Sequence, residues 1–318
     1  MRRVRLGARG PEVSCLCFGT LTLGRLQRDL PAEEGAELIC YAAGQGIDLV
    51  DTAELYGTYP HVGLALKQCP GLKVSTKTYA HDADGAARSL ERAQRELDRE
   101  YIDLFMLHEQ ESLHTLRGHE AALRYFAQKK REGVIGAIGI STHCVAAVQA
   151  GAAFGKEFGG LDVIHPLINR EGLGIADGTR AEMEEACAAA KAEGIGIMAM
   201  KALGGGHLIE APQSAFAYAM AAPFIDAVAV GMQSRAEVDY NVAVWNRQSP
   251  DARTRAACAR APRRMMVHDW CTGCGLCESR CGQRAISIQD GQALIDSEVC
   301  VRCGYCAADC PEFCIKVI

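Results

Sequence analysis

The sequence predicts an α/β protein: a (β/α)8 barrel over residues 1–262, followed by a small α+β domain over residues 263–318. Two observations carry this. The first 250 or so positions alternate short apolar runs with amphipathic, Ala-rich stretches. The remainder holds two cysteine runs of identical spacing. A third observation decides between α/β architectures: no G-x-G-x-x-G fingerprint follows a strand, which argues against an open doubly wound sheet.

Eight apolar runs read as strands: Cys15–Leu21, Asp48–Ala53, Lys73–Lys77, Asp103–His108, Ala137–Thr142, Asp162–Ile168, Gly196–Ala202 and Ala227–Gly231. Helix patterns such as Ala86–Leu97 and Ala181–Ala192 lie between them. Glu132-Gly133 and Glu193-Gly194 precede strands, where a helix is expected to end on glycine. Eight such units in this length fit a closed barrel. An Arg-rich helix, Asp251–Ala261, is expected to connect the barrel to the cysteine-rich domain.

The first cysteine run is Cys271, Cys274, Cys277 and Cys281. The second is Cys300, Cys303, Cys306 and Cys310, followed by Pro311. Each reads C-x2-C-x2-C-x3-C, the spacing that holds a [4Fe–4S] cluster, and the fourth Cys of each run ligates the other cluster. Cys271, Cys274, Cys277 and Cys310 are therefore expected to hold one cluster. Cys300, Cys303, Cys306 and Cys281 are expected to hold a second. Ile286 maps to Ile315 and Ile288 to Val317 at the same offset as the cysteines, which implies a duplicated unit about a pseudo-two-fold. A zinc ribbon would use pairs of C-x2-C rather than runs of four. Disulfides would need an oxidising compartment. Over roughly residues 263–318 the chain resembles bacterial two-cluster ferredoxins. Gly282 departs from that pattern, standing where the second run has Pro311.

Composition narrows the remaining classes. Hydrophobic residues make up 49% of the 318 positions and charged residues 23%, enough apolar content for a large core. A net charge of −5 gives no reason to expect nucleic acid or an anionic membrane as partner. The basic start, Met1 to Arg5, is not followed by an apolar segment, and no run is long enough to span a bilayer. Sixteen cysteines without an export signal fit a reducing cytoplasm. The eight outside the two runs, Cys314 among them, lack ligand spacing and read as small core residues.

Barrel active sites lie at the C-terminal ends of strands. The polar residues there are Asp51, Lys77 and His108, with Tyr56 one turn beyond Asp51. The segments Asp51-Thr52-Ala53-Glu54-Leu55-Tyr56-Gly57, Ser75-Thr76-Lys77 and Leu107-His108 resemble the aldo/keto reductase family over roughly residues 1–250. That resemblance implies a TIM barrel with a tetrad of Asp51, Tyr56, Lys77 and His108. It implies hydride transfer between NADP(H) or NAD(H) and a small-molecule carbonyl or alcohol. A phenol with its ordinary pKa is a reluctant acid, and a nearby ammonium would lower it. Lys77 is expected in that role, oriented by Asp51, with His108 placing the carbonyl oxygen. By the same resemblance Gly19, Thr20 and Asp51 border the cofactor. Ser141 and Asn169 would hold its carboxamide. Lys201, Gly204 and Gly205 would lie under its pyrophosphate. Gly231, Met232, Ser234, Glu237 and Asn241 would face its adenosine end. Many NADPH-dependent relatives use an arginine where this chain has Glu237. A carboxylate there would repel a 2′-phosphate, Arg235 stands nearby, and the choice between NAD and NADP stays open.

Hydride transfer moves two electrons and each cluster moves one. Three readings follow. The barrel reduces a carbonyl and the clusters are structural or regulatory. Alternatively, the clusters relay single electrons between a redox partner protein and the barrel site. In the third reading the chain is a nicotinamide-responsive binding module without catalysis, as in some family members attached to channels. The complete tetrad argues against the third.

Overall fold

The computed structural model describes residues 1–154, 156, 160–261, 263–300 and 305–318. A hairpin comes first, β1 (Arg3–Arg5) antiparallel to β2 (Glu12–Ser14). Eight parallel strands then close a barrel: β3 (Leu16–Gly19), β4 (Leu49–Asp51), β5 (Lys73–Thr78), β6 (Ile102–Leu107), β7 (Ile135–Thr142), β8 (Val163–Pro166), β9 (Gly196–Met200) and β10 (Ala227–Gly231). They pair in chain order, and β10 returns to β3. All eight expected strands are present, each within a few residues of its expected bounds.

The outer layer is helical: α1 (Ala32–Gly44), α2 (Tyr59–Gln68), α3 (Ala83–Leu97), α4 (Leu113–Gly118), α5 (Glu120–Arg131), α6 (Val145–Phe154), α7 (Arg180–Ala192), α8 (Pro212–Ala221) and α9 (Arg235–Trp245). Local signals set their ends. Thr179 and Glu182 form a capping box that starts α7, and Asp82 accepts from the Gly85 amide at the start of α3. Gly133 and Gly194 follow their helices with φ of +76° and +83°, as expected at those positions. None of the described helices is long and apolar enough to cross a membrane.

The N-terminal hairpin was not expected from the sequence, and it plugs the barrel floor. Leu6 and Val13 are fully buried in one cluster with Cys17, Leu49, Leu104 and Met198 of the barrel strands. Gly7 makes this possible. Its φ is +63°, and a Cβ there would lie 2.3 Å from the Gly196 backbone nitrogen.

Beyond the barrel, α10 (Ala252–Arg260) is capped by the Asp251 side chain, which accepts from the Thr254 amide at 2.7 Å. The cysteine-rich domain follows as β11 (Met265–Val267), α11 (Leu276–Arg280), β12 (Ile286–Gln289), β13 (Gln292–Ile295), α12 (Tyr305–Ala308) and β14 (Ile315–Val317). β11 pairs with β14 and β12 with β13, all antiparallel. Each half thus reads strand–helix–strand, and each ladder joins one strand from either half. This is the arrangement the sequence repeat predicts.

The domain sits on the mouth of the barrel. Leu167 joins Cys277, Ile286, Ala293, Phe313 and Ile315 in a buried cluster, and Met200 packs against it. Both barrel residues lie at C-terminal strand ends. A Cβ on Gly206 would stand 2.1 Å from the Val317 carbonyl oxygen, so β14 lies directly on the loop after β9.

Candidate active site

Parallel pairing in register sets Asp51 beside Gly19 and Ser75. Lys77 is two residues beyond Ser75 on β5, so it projects to the same side of the strand. Its Nζ donates to both Asp51 carboxylate oxygens, at 2.8 and 2.7 Å, and to the Thr52 carbonyl at 2.8 Å. Ser75 Oγ also donates to Asp51, at 2.8 Å. Both charges are buried, and a pair this deep is tolerated only because its hydrogen bonds are made. Burial pushes the Asp51 carboxyl pKa up, but Lys77 and then His165 outweigh this and hold it well below the usual range.

Tyr56 closes a 3-10 turn, Glu54–Tyr56, that ends on left-handed Gly57. Its ring centroid lies 5.0 Å from Lys77 Nζ and 5.6 Å from the His108 ring, edge-on. The tetrad residues therefore meet in one place. One expectation changes. Lys77 gives its hydrogen bonds to Asp51 and Thr52, and the Tyr56 pKa is raised well above its ordinary value, first by burial and then by the Asp51 charge. The phenol in this state is a firmly protonated donor. His108 is neutral, because burial and then Lys77 push its pKa well down. Its Nδ1 is buried without a hydrogen-bond partner among the described residues.

Three neighbours were not singled out from the sequence. Tyr79 stacks on His108 at 4.6 Å and donates to Glu109. His165 on β8 stands 3.6 Å from Asp51 Oδ2 and bonds the Met198 carbonyl through Nδ1. His143 Nε2 is 3.1 Å from Lys201 Nζ. The available signal was weak: His165 lies within the run Asp162–Ile168, His143 follows the run Ala137–Thr142, and no motif marks them.

A cavity of about 660 Å³ opens beside Tyr56. Its lining includes Asp51, Tyr56 and His165, Lys201, Gly205 and Gly206, and Glu237, Asn241 and Arg260. Lys316 and Val317 of the cysteine-rich domain form part of the wall. Gly19 and Gly231 also border it, and a Cβ on Gly231 would stand 2.2 Å from Thr22 Cγ2. Burial pulls the Lys201 pKa down to about 8, and burial and then the Lys201 charge push that of Lys316 well below its ordinary value.

Six residues expected at the cofactor are not on this wall. Thr20 is buried, with its hydroxyl bonded to the Asp51 carbonyl and Thr58. Ser141 Oγ accepts from the Glu109 amide. Asn169 spends its side-chain amide on the Glu171 and Leu173 backbone. Gly204 is buried beneath the loop and Met232 is packed in the core. Ser234 caps α9 by accepting from the Glu237 amide. Arg235 turns away as well, stacking its guanidinium over Tyr41 at 5.0 Å.

In the cysteine-rich domain the Cys277 pKa is raised, by burial first and then by the charges of Cys310, Cys271 and Cys274. Cys310 of the second run thus stands with three cysteines of the first. Backbone amides of Ala293 and Ala285 donate to Cys271 Sγ and Cys281 Sγ at 3.5 and 3.3 Å. Among the described residues no three cysteines stand close enough together to hold a metal ion, although N–H bonds to sulfur of this kind suit cluster ligands. Of the second set, Cys281, Cys300 and Cys306 are described, and Cys303 lies outside the described residues. Cys314 is buried 3.4 Å from Cys310 Sγ.

The sequence matches the aldo/keto reductase family over residues 15–214 and the 4Fe-4S dicluster domain over residues 265–311. A Glycine max protein named "Probable aldo-keto reductase 1" is 36% identical over 122 residues, 33% of this chain and 35% of that protein. The chain thus spans about a third of the length of the curated aldo-keto relatives it matches. "Ferredoxin-2" of Chlorobaculum tepidum is 46% identical over 55 residues, 15% of this chain and 89% of that ferredoxin. The solved aldo-keto reductase of Bacillus halodurans, in its holo form, superposes with a TM-score of 0.64 at 20% identity, covering 82% of this chain and 96% of that one. That likeness is one of fold. The chain belongs to the aldo/keto reductase family, with a 4Fe-4S dicluster domain joined to its C-terminal side.

Proposed function

We propose that the chain interconverts a carbonyl and an alcohol with a nicotinamide dinucleotide bound along the cavity. The observation that supports this most is the cavity itself. Its lining combines Asp51 and Tyr56 of the tetrad with Lys201, Gly205 and Gly206 and with several arginines, groups that suit such a dinucleotide. When bound, the nicotinamide supplies hydride to the carbonyl carbon. Tyr56 gives its phenolic proton to the carbonyl oxygen. Its raised pKa keeps the group protonated but makes it a reluctant acid, so donation depends on stabilising the phenolate that it leaves. Neutral His108 donates a hydrogen bond to the same oxygen and orients the carbon. Asp51 keeps Lys77 charged and fixed beneath the ring, so that the phenolate formed on donation is stabilised when it appears. Lys201, with Gly205 and Gly206, receives the pyrophosphate.

Binding of the dinucleotide to the full chain by anaerobic calorimetry, with turnover of aldehydes by wild type and Tyr56→Phe, tests this reading. The variant should bind the nucleotide as wild type does and lose carbonyl reduction. Near-normal turnover would remove Tyr56 from the role.

A second reading has its own support. Phe313 lies three residues after Cys310, its ring 5.2 Å from Lys201 Nζ, and Lys316 reaches the cavity wall. A cluster on Cys310 would adjoin the barrel site, close enough for single electrons to pass between a redox partner protein and that site. Cluster absorbance and EPR, followed through turnover, separate the two readings. Clusters that stay oxidised favour plain hydride transfer, and clusters that cycle with substrate favour relay.

A further inference from the structure

Within the tetrad, Asp51 and Lys77 fix each other by hydrogen bonds. The His108 ring has no such tie. Its Nδ1 is buried without a hydrogen-bond partner among the described residues. A working imidazole is ordinarily oriented by the bond its second nitrogen makes. Here aromatic groups surround the ring instead. Tyr56 meets it edge-on, and Tyr79 lies against its face, with 4.6 Å between centroids and 29° between planes. Tyr79 follows β5 directly, and Glu109 stands at the end of the adjacent strand β6, next after His108. Tyr79 is 43% exposed, so packing alone holds its ring loosely. Its hydroxyl donates to Glu109 Oε2. Glu109 takes a left-handed backbone, with φ of +46°, which residues other than glycine rarely adopt. Its amide donates to Ser141 Oγ at 2.9 Å, which ties it to β7 in that pose. Backbone strain of this kind persists only where the surroundings enforce it, and it concentrates at functional sites.

We propose that Tyr79, pinned by Glu109, is a positioning residue that holds the His108 ring in the plane from which it donates to the substrate carbonyl. This rests on the carbonyl-reduction reading above. With Nδ1 buried, Nε2 is the nitrogen left to meet the carbonyl oxygen. Hydrogen bonds weaken steeply off their axis, so a ring free to turn about its Cβ–Cγ bond is seldom aimed at that oxygen. A stacked neighbour restrains the rotation without occupying a ring nitrogen and without adding charge to the imidazole. Glu109 acts one step further back: it holds the phenol that holds the ring.

The test is a double-mutant cycle on the full chain with its clusters, kept anaerobic and read as aldehyde-dependent nucleotide oxidation: wild type, Tyr79→Leu, His108→Ala and both together. Tyr79→Leu should lower kcat by about 10²-fold, as for a catalytic group misplaced by about 1 Å, and leave nucleotide affinity by calorimetry unchanged. In the His108→Ala background the same substitution should cost nothing further. Tyr79→Phe keeps the stack and loses the bond to Glu109, so its loss should be smaller and should match that of Glu109→Ala. Glu109→Gln, which keeps an acceptor for the hydroxyl, should recover most of what Glu109→Ala loses. An equal loss from Tyr79→Leu with and without His108 would overturn the proposal. So would an unchanged kcat in Tyr79→Leu. Should that variant fail to fold, Tyr79→Phe in the same cycle decides by the same criterion. If His108→Ala reduces aldehydes as wild type does, the reading of the tetrad fails first and the proposal with it.

Discussion

The barrel and the cysteine-rich domain hold their reactive groups in place by different means. In the barrel, Lys77 and Asp51 neutralise each other inside a site held by eight paired strands. The geometry exists before any ligand arrives. In the smaller domain, three of the nine buried members of the core cluster are cysteines, and a fourth, Leu167, is borrowed from the barrel. So thin a core is short of the apolar area an independent domain needs. Its order should come from iron–thiolate bonds, whereas the barrel strands close on one another.

Four measurements could break or sharpen that contrast. The largest effect is expected inside the barrel: Tyr56→Phe should lower carbonyl reduction by about 10²–10⁴-fold, read as aldehyde-dependent nucleotide oxidation, with the far-UV spectrum unchanged. Next comes Asp51→Asn, which leaves a buried ammonium without its counter-charge. Urea unfolding should show the barrel destabilised by about 3–5 kcal/mol while the cluster absorbance at fixed temperature is retained. Loss of absorbance together with stability would mean that the two regions unfold as one. Third, chelation of iron should raise hydrogen exchange across β11–β14 and α11 and leave β4–β7 protected. Exchange rising equally in both would remove the distinction.

The smallest effect concerns pH. Partly buried Lys201 faces His143, Lys316, Phe313 and the more distant Glu109. Its pKa is about 8 in the fold and near 10.4 when unfolded, so between these values the unfolded chain binds more protons. Stability without nucleotide should therefore rise with pH across that window, by on the order of 1 kcal/mol. Bound pyrophosphate would hold Lys201 charged and cancel the rise. Thermal melts at pH 7.5 and 9.5, with and without 2′,5′-ADP, would read it. A flat profile without nucleotide would mean that Lys201 is already neutralised.

Much of this was legible in the sequence, for identifiable reasons. Barrel strands are continuous apolar runs with polar tips, so Asp51, Lys77 and His108 announced themselves. β8 is shorter than Asp162–Ile168 suggested, and Pro166, with no N–H to give, ends it. The hairpin of β1 and β2 has three residues per strand, too few for alternation to register. His165 and Tyr79 became site residues only through tertiary contact. The Arg-rich helix Asp251–Ala261 read only as a connector, and its Arg255 and Arg260 reach the cavity wall through tertiary contact. The effect of Lys77 on Tyr56 was misjudged for a related reason. It depends on where three N–H bonds point, and residue identity does not encode that.

The seat of β14 on Gly206 has an evolutionary consequence. One absent methyl group lets the Val317 carbonyl rest where any other side chain would begin. The cysteine-rich domain is therefore keyed to its host and is not an interchangeable cassette. A ferredoxin grafted from elsewhere would need a final strand of the same length and path, and a barrel lineage that acquired alanine at this position would lose the lock before it lost the key.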